Sequence, residues 1–305
     1  MLFPYQKLWV LVTILGFYSQ SCKKTSPQIW MMDVWYVFVA FASNLFIGYV
    51  AFHKKALKYP SGFIAAAIVG ITIFMASWRV WVVLATFFIT SSLLSKFREN
   101  DPLKKKAMAF AEKGSQRDHI QVFANGGGAF IFSCLGILAM GIDIQNTPPI
   151  ILGAVASLAA STSDTWSTEI GTSSPTPPVL IYRPWEKVPR GTSGGVTLLG
   201  TVASFFGAFL ISCVFFLLDA FSIENALVIL IAGFAGGFVD SILGGTIQAT
   251  FSCSVCNKKT ERLVHCNSPT VHIGGIRWFN NDAVNFVASF SAGLLAWFLA
   301  SILPI

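Results

Sequence analysis

The sequence predicts an all-α, polytopic helical membrane protein of about nine transmembrane spans, and three observations carry that expectation. Hydrophobic residues make up 54% of the 305-residue chain and charged residues 11%, against about 25% charged in ordinary globular domains. Mean hydropathy is +0.66. Long apolar runs alternate with short polar loops that hold most of the Lys and Arg. Lipid then receives most of the apolar surface, and each span has to satisfy its own backbone polar groups by being helical. The net charge of +7 is spread over loops between spans, which makes it a topology signal and argues against nucleic acid as a partner.

Taken in order, residues 1–21 read as a first span or anchor, with lipoprotein-type processing at 16–22 as an alternative. Residues 33–52 make a span that ends on His53, Lys54, Lys55 and Lys58. Residues 61–94 are too long for one span and short for two, and Trp78 and Arg79 place the far turn of a tight hairpin near 77–79. Residues 96–120 form the most polar stretch, where Lys104, Lys105 and Lys106 mark a cytoplasmic loop. Spans at 122–141, 149–160, 196–218, 226–249 and 283–303 follow. Two spans separate each polar loop from the next, so the loops near residues 53, 100, 185 and 265 share one face, and their Lys and Arg make it cytoplasmic. The chain divides into N-terminal spans at 1–60 and a membrane domain at 61–305 with a Cys/His loop at 251–279. The expected setting is a bacterial cell membrane or a eukaryotic organelle membrane.

The polar residues between spans are unusual. Within the central stretch 161–196, Asp164 and Glu169 are five apart, about 500° of helix, which leaves them about 140° from facing the same way. Asp164 shares a face with Ser167 or Thr168 and follows the chemistry of a Mg²⁺ site completed by phosphates and water; an N-cap is the alternative. Thr165 stands beside it. Arg190, Gly191, Thr192, Ser193 and Gly194 precede a span, where unopposed amides, close-approach glycines and a guanidinium attract phosphate, without the spacing of a Walker loop. Gln116 and Arg117 lead to Asn125 and three glycines at another helix start. Asp240 and Ser241 lie between glycine pairs in an apolar run that ends at Gln248; close packing explains the glycines but not the acid. Asn281, Asp282 and Asn285 open the last span. Cys253 and Cys256 have the spacing of a zinc knuckle, with His265 and Cys266, or His272 as a substitute, completing a closed structural Zn²⁺ site; reduced free thiols are the alternative, and adjacency of the second pair strains joint ligation.

The motifs at 164–171, 189–197, 240–248 and 281–285, with 116–126, resemble one integral-membrane family. It is the family, formerly of unknown function, that includes transmembrane protein nineteen of animals and the plant phytyl phosphate kinase of vitamin E synthesis. The resemblance covers the chain from about Ser61 onward, and the Cys/His loop resembles that of many prokaryotic members. It implies a kinase that phosphorylates a prenyl monophosphate from a nucleoside triphosphate, CTP being the expected donor. The motifs are also similar, more distantly, to those of dolichol kinases and phosphatidate cytidylyltransferases.

The expected function is therefore a membrane lipid kinase that uses Mg²⁺ and a nucleoside triphosphate on a polyisoprenoid (phytyl-like) monophosphate among membrane lipids. Asp164, Asp240 and Asp282 would hold the metal, while Arg117, Arg190 and the 191–195 turn would neutralise phosphates. The other class is a secondary transporter, for which Gly-interrupted helices and intramembrane acids also serve, with the acids near the bilayer midplane. The span limits put Asp164 at an edge and Asp240 deeper.

Overall fold

The computed structural model describes residues 27–108, 116–142, 148–220 and 222–303; the expected span and processing site at 1–22 lie outside the described residues. Among the described residues eight long helices follow one another: α1 (Pro27–His53), α2 (Pro60–Ala76), α3 (Trp78–Phe97), α5 (His119–Met140), α6 (Pro149–Gly171), α7 (Leu198–Leu218), α8 (Ile223–Thr246) and α9 (Asn281–Ile302). A seven-residue helix, α4 (Pro102–Met108), lies between α3 and α5. Six of the helices are long and apolar enough to cross a membrane: α1 over Val34–His53, α3, α5, α7, α8 and α9. The expected count of about nine includes a span at 1–21 that lies outside the described residues, and six is the count among those described. At 17 residues α2 is short, and α6 carries too many hydroxyls to meet the apolar criterion.

The expected turn inside residues 61–94 falls at Ser77, whose extended backbone (φ −162°, ψ 121°) breaks α2 from α3. Successive helices alternate in direction, so the chain presents two ends. At one, Arg79 Nη1 stands 3.6 Å from Asp219 Oδ1 at the end of α7. At the other, the polar loops meet. The Arg117 amide donates to the Ala56 carbonyl (3.0 Å) and its carbonyl accepts from Lys58 (3.0 Å), while Arg98 Nη2 donates to Thr172 Oγ1 (3.4 Å). The loops expected to share a face do share this end.

The polar connections also depart from a purely helical chain. Strands β1 (Val179–Leu180), β2 (Arg183–Lys187) and β3 (Gly195–Val196) form an antiparallel sheet in the order β2-β1-β3. Strands β4 (Thr250–Cys253), β5 (Lys259–Thr260), β6 (Val264–His265) and β7 (Ser268–Gly274) form a second, in the order β5-β4-β7-β6.

Helix α6 is the axis of the bundle and packs on α3, α5, α7, α8 and α9. Every residue from Ile151 to Ser163 is buried. Its surface of Ala, Ser, Thr and Gly lets neighbours approach closely, as small residues do in membrane helix packing. A Cβ at Gly233 of α8 would stand 2.5 Å from that of Ala159, and one at Gly207 of α7 2.9 Å from the Thr162 carbonyl. Outward-facing Trp35, Phe38, Phe46, Phe206 and Phe298 are all more than half exposed and form the surface that lipid would cover.

Candidate functional site

Helix α6 continues eleven residues past Ala160, where the expected apolar segment ends, and carries the polar stretch into the end where the loops gather. Three of the hydroxyls that made 161–168 look like a loop bond back to the helix itself, and Ser163 bonds Ser204 Oγ of α7 (2.6 Å). Ser161, Thr162 and Thr165 donate to the carbonyls of Ser157 (3.2 Å), Leu158 (2.7 Å) and Ser161 (2.8 Å). Asp164 is thus an interior helix residue, and the N-cap alternative is excluded.

Asp164 meets Asp240 of α8, the two carboxylates standing within hydrogen-bonding reach, and Thr168 bonds Asp164 from one turn on. With its amide oriented to satisfy both neighbours, Asn285 of α9 donates to Asp240 Oδ2 (3.0 Å) and to the Asn281 carbonyl (3.2 Å). Asp282, buried in the first turn of α9, lines the same cavity, and Asn280 caps that helix by accepting from the Ala283 amide (3.2 Å). Both acids lie close to one end. Asp164 is seven residues before the end of α6 and Asp240 six before the end of α8, about 10 and 9 Å from those ends in helices about 35 Å long. The expected difference in their depths is therefore corrected: they are level.

Above the acids lies the 189–195 turn. Gly191 (φ +85°) and Gly194 (φ +75°) occupy the left-handed region, and a Cβ at either would stand 2.4 Å from backbone, that of Ala107 and Gly245 respectively. The turn is thereby clamped between α4 and the end of α8. Arg190 lies over the end of α6, its Nη1 donating to the Thr172 carbonyl (3.3 Å) and Nη2 to that of Pro175 (3.4 Å). Ser193 donates to Glu261, the residue directly after β5, and Glu261 adds its negative charge near Asp240.

Arg117 enters from the side. Its Nη1 donates to Ser92 Oγ (2.8 Å) and the guanidinium lies over the rings of Phe87 and Phe88. Burial pushes it down to about 10, opposed by the charge of Glu169, so it stays protonated at neutral pH. Glu169 pairs with Lys104: Nζ lies 2.7 Å from Oε2 and donates to Oε1 (2.9 Å), which also accepts from Ser95 Oγ (2.5 Å). Oε2 lies off the hydrogen-bond axis, which leaves its lone pairs unsatisfied. Asp101 sets this up by capping α4 through the Leu103 amide (2.8 Å), the bond that foremost holds its carboxyl below the usual range.

These groups line one cavity of about 320 Å³, into which Thr165, Asn125, Gly191, Thr192, Ser193, Gly194, Ser241, Gln248, Asn281 and Asn285 also face. Gln248 is 4% exposed and neither amide atom has a hydrogen-bond partner. Gln116 is the exception among the sequence-predicted residues: it is exposed and outside the lining. Asn125 sits in the second turn of α5, not at its start, because the capping box of Asp118 and Gln121 starts the helix at His119, six residues earlier; the following glycines receive α2, α6 and α9. Sequence reasoning missed Lys104, Ser95 and Glu261. Nothing distinguishes Lys104 from its neighbours in a run of three lysines, and Glu261 lies inside the Cys/His loop.

The Cys/His loop forms its own cluster. Ligand atoms of Cys253, Cys256, His265 and Cys266 all lie within 4.8 Å of one another, the sole group of three or more such residues among those described. His272 is excluded as a substitute; it stacks edge-on against Phe251 in β7.

Fold and site together define a multi-helix membrane protein with a charged, phosphate-compatible cavity at one end of its bundle. Residues 42–293 match the family described as integral membrane protein DUF92, and the chain belongs to that family. The match takes in residues 42–60, which the motifs did not reach. Protein PGR of Arabidopsis thaliana is 33% identical over 92% of this chain and 98% of its own length. An uncharacterized membrane protein of Methanocaldococcus jannaschii is 32% identical over 70% of this chain and 82% of its own. Protein VTE6, chloroplastic, of Arabidopsis thaliana is 26% identical over 74% of this chain and 60% of its own. No solved structure matches.

Proposed function

We propose that the protein is a membrane lipid kinase that transfers the terminal phosphoryl group of a nucleoside triphosphate, CTP the expected donor, to a polyisoprenoid monophosphate. The observation that carries this reading is the facing of Asp164 and Asp240 beneath a glycine turn, ringed by Arg117, Arg190 and Lys104. Membership in a family that contains the plant phytyl phosphate kinase supports the same chemistry. An oxygen of the acceptor phosphate forms a bond to the terminal phosphorus, the bond from that phosphorus to its bridging oxygen breaks, and a prenyl diphosphate and nucleoside diphosphate leave. Such a transfer needs mainly positioning and charge stabilisation.

Two carboxylates this close, with Glu261 adding a third negative charge, fit a hard divalent cation. Mg²⁺ held by Asp164 and Asp240, with Asp282 elsewhere on the wall of the same cavity, would neutralise phosphate charge. The chain's own cations then divide the remaining work. Arg117 and Arg190 line the cavity with the 191–195 turn and would face phosphate oxygens there, with the amides of the turn as further donors. Lys104 holds Glu169 away from the phosphates. Placement of both acids about 10 Å from a helix end, with a midplane about 17 Å in, favours interfacial chemistry over transport. The Lys and Arg of the loops at that end make it the cytoplasmic one.

Purified protein in proteoliposomes, given CTP or ATP, Mg²⁺ and a panel of prenyl alcohols and monophosphates, is expected to form a diphosphate from a monophosphate. Absence of nucleotide consumption with every acceptor, alongside solute uptake by the same vesicles, overturns the reading.

A further inference from the structure

We propose that Cys253, Cys256, His265 and Cys266 bind one Zn²⁺ in a closed structural site that fastens the 250–275 strap beside the cavity mouth. The inference stands apart from the kinase reading, since it concerns a cluster outside the cavity.

The geometry suits the ion. With Zn–S bonds of about 2.3 Å and Zn–N of about 2.0–2.1 Å, a tetrahedral site separates sulfur from nitrogen by about 3.5 Å. His265 Nδ1 lies 3.5 Å from Cys256 Sγ and 3.2 Å from Cys266 Sγ. The adjacency of His265 and Cys266, which looked strained in sequence, is resolved by the backbone. Cys266 (φ 52°) and Asn267 (φ 56°) both turn left-handed, which brings the two side chains to one side. Asn257 (φ 56°) does the same directly after Cys256, so each ligand pair is followed by an Asn in the conformation that residue tolerates. Cys253 Sγ accepts from the Val255 amide (3.4 Å), a backbone bond that orients the sulfur toward the other three ligand atoms, all within 4.8 Å of one another. Three thiolates and a neutral imidazole leave no open position, and binding releases the protons those thiols carry.

The strap needs such a fastening. Its base is pinned: Ile276 donates to the Ile247 carbonyl (2.9 Å) and Ala249 to that of Phe279 (2.8 Å). Beyond the base, two of its four strands have two residues each, and Val255, Leu263, Val264 and Val271 are all more than half exposed. Phe251, Cys253 and Thr260 are its buried residues between 250 and 275, too little apolar burial to hold a small sheet. A metal supplies what the core does not. Glu261 lies between the two ligand pairs, so fixing them also fixes the carboxylate that accepts from Ser193 of the glycine turn.

The test is metal analysis of the full-length protein purified without chelator. About one Zn²⁺ per chain is expected, falling at least about tenfold in Cys256→Ser and Cys266→Ser and unchanged in Cys134→Ser and Cys213→Ser. Should the knuckle variants not fold, the wild-type protein gives the same answer: a mercurial that caps its thiols should release about one zinc per chain. Chelation should also speed tryptic cleavage at exposed Lys258 and Lys259 at least about tenfold, with the helices intact. Less than about a tenth of a zinc per chain, with none bound on titration, overturns the site, and so does iron in its place. Cleavage that chelation leaves unchanged overturns the fastening role.

Discussion

Replacing Lys104 by Met should destabilise the protein by about 3–5 kcal/mol, because it strands a buried carboxylate. The two side chains are 7% and 11% exposed and their nearest charged atoms are 2.7 Å apart. At an effective dielectric of about 20, that separation corresponds to a Coulomb attraction of about 6 kcal/mol, most of it offset by the desolvation of both ions. The pair as a whole therefore adds little, whereas Glu169 without its partner keeps only the Ser95 hydroxyl and the distant charge of Arg117. Glu169→Gln should lose less, since Lys104 Nζ retains the Ser95 carbonyl at 3.1 Å. The double variant Lys104→Met/Glu169→Gln should return to within about 1–2 kcal/mol of wild type, a coupling of at least about 2 kcal/mol. Reversible unfolding in mixed detergent and SDS micelles, followed by helical circular dichroism, measures the cycle. A Lys104→Met cost below about 1 kcal/mol, or additive single changes, would refute the buried pair.

Gly194→Ala should cost more than about 2 kcal/mol or abolish turnover, since its φ is +75° and the neighbour 2.4 Å away is backbone that cannot move aside. Gly274→Ala, with nothing within 4 Å, is the neutral control in the same thermal and activity assays. Gln248→Leu should leave stability unchanged or raise it by about 1 kcal/mol, because it removes two unpartnered buried atoms, while substrate turnover falls at least tenfold. A destabilised but fully active variant would make Gln248 structural.

Much of the bundle is legible in the sequence because lipid imposes simple rules of length and polarity. The break at Ser77 follows from a run too long for one helix, and the common end of the polar loops follows from an even number of spans between them. What hydropathy misreads is α6. Its Ser and Thr look like a loop, yet they bond back to their own helix and let five neighbours pack against it. The position of Asp164, and the pairing with an acid 76 residues later, depend on that unseen continuation. Helix angle sets Glu169 apart from Asp164, and the partner the structure gives it is Lys104, a lysine that composition assigns to topology. Gln116 is exposed two residues before the Asp118 cap that starts α5.

Transfer of labelled terminal phosphate to a prenyl monophosphate, compared between the wild-type protein and the Asp164→Asn and Asp240→Asn variants in the same proteoliposomes, is the most direct measurement. The expected result is product from wild type and a loss of at least about 100-fold in each variant, with melting temperature unchanged or raised as like-charge repulsion is relieved. Variants within about twofold of wild type, or a wild-type protein that labels no acceptor, would contradict a phosphoryl-transfer site at this pair.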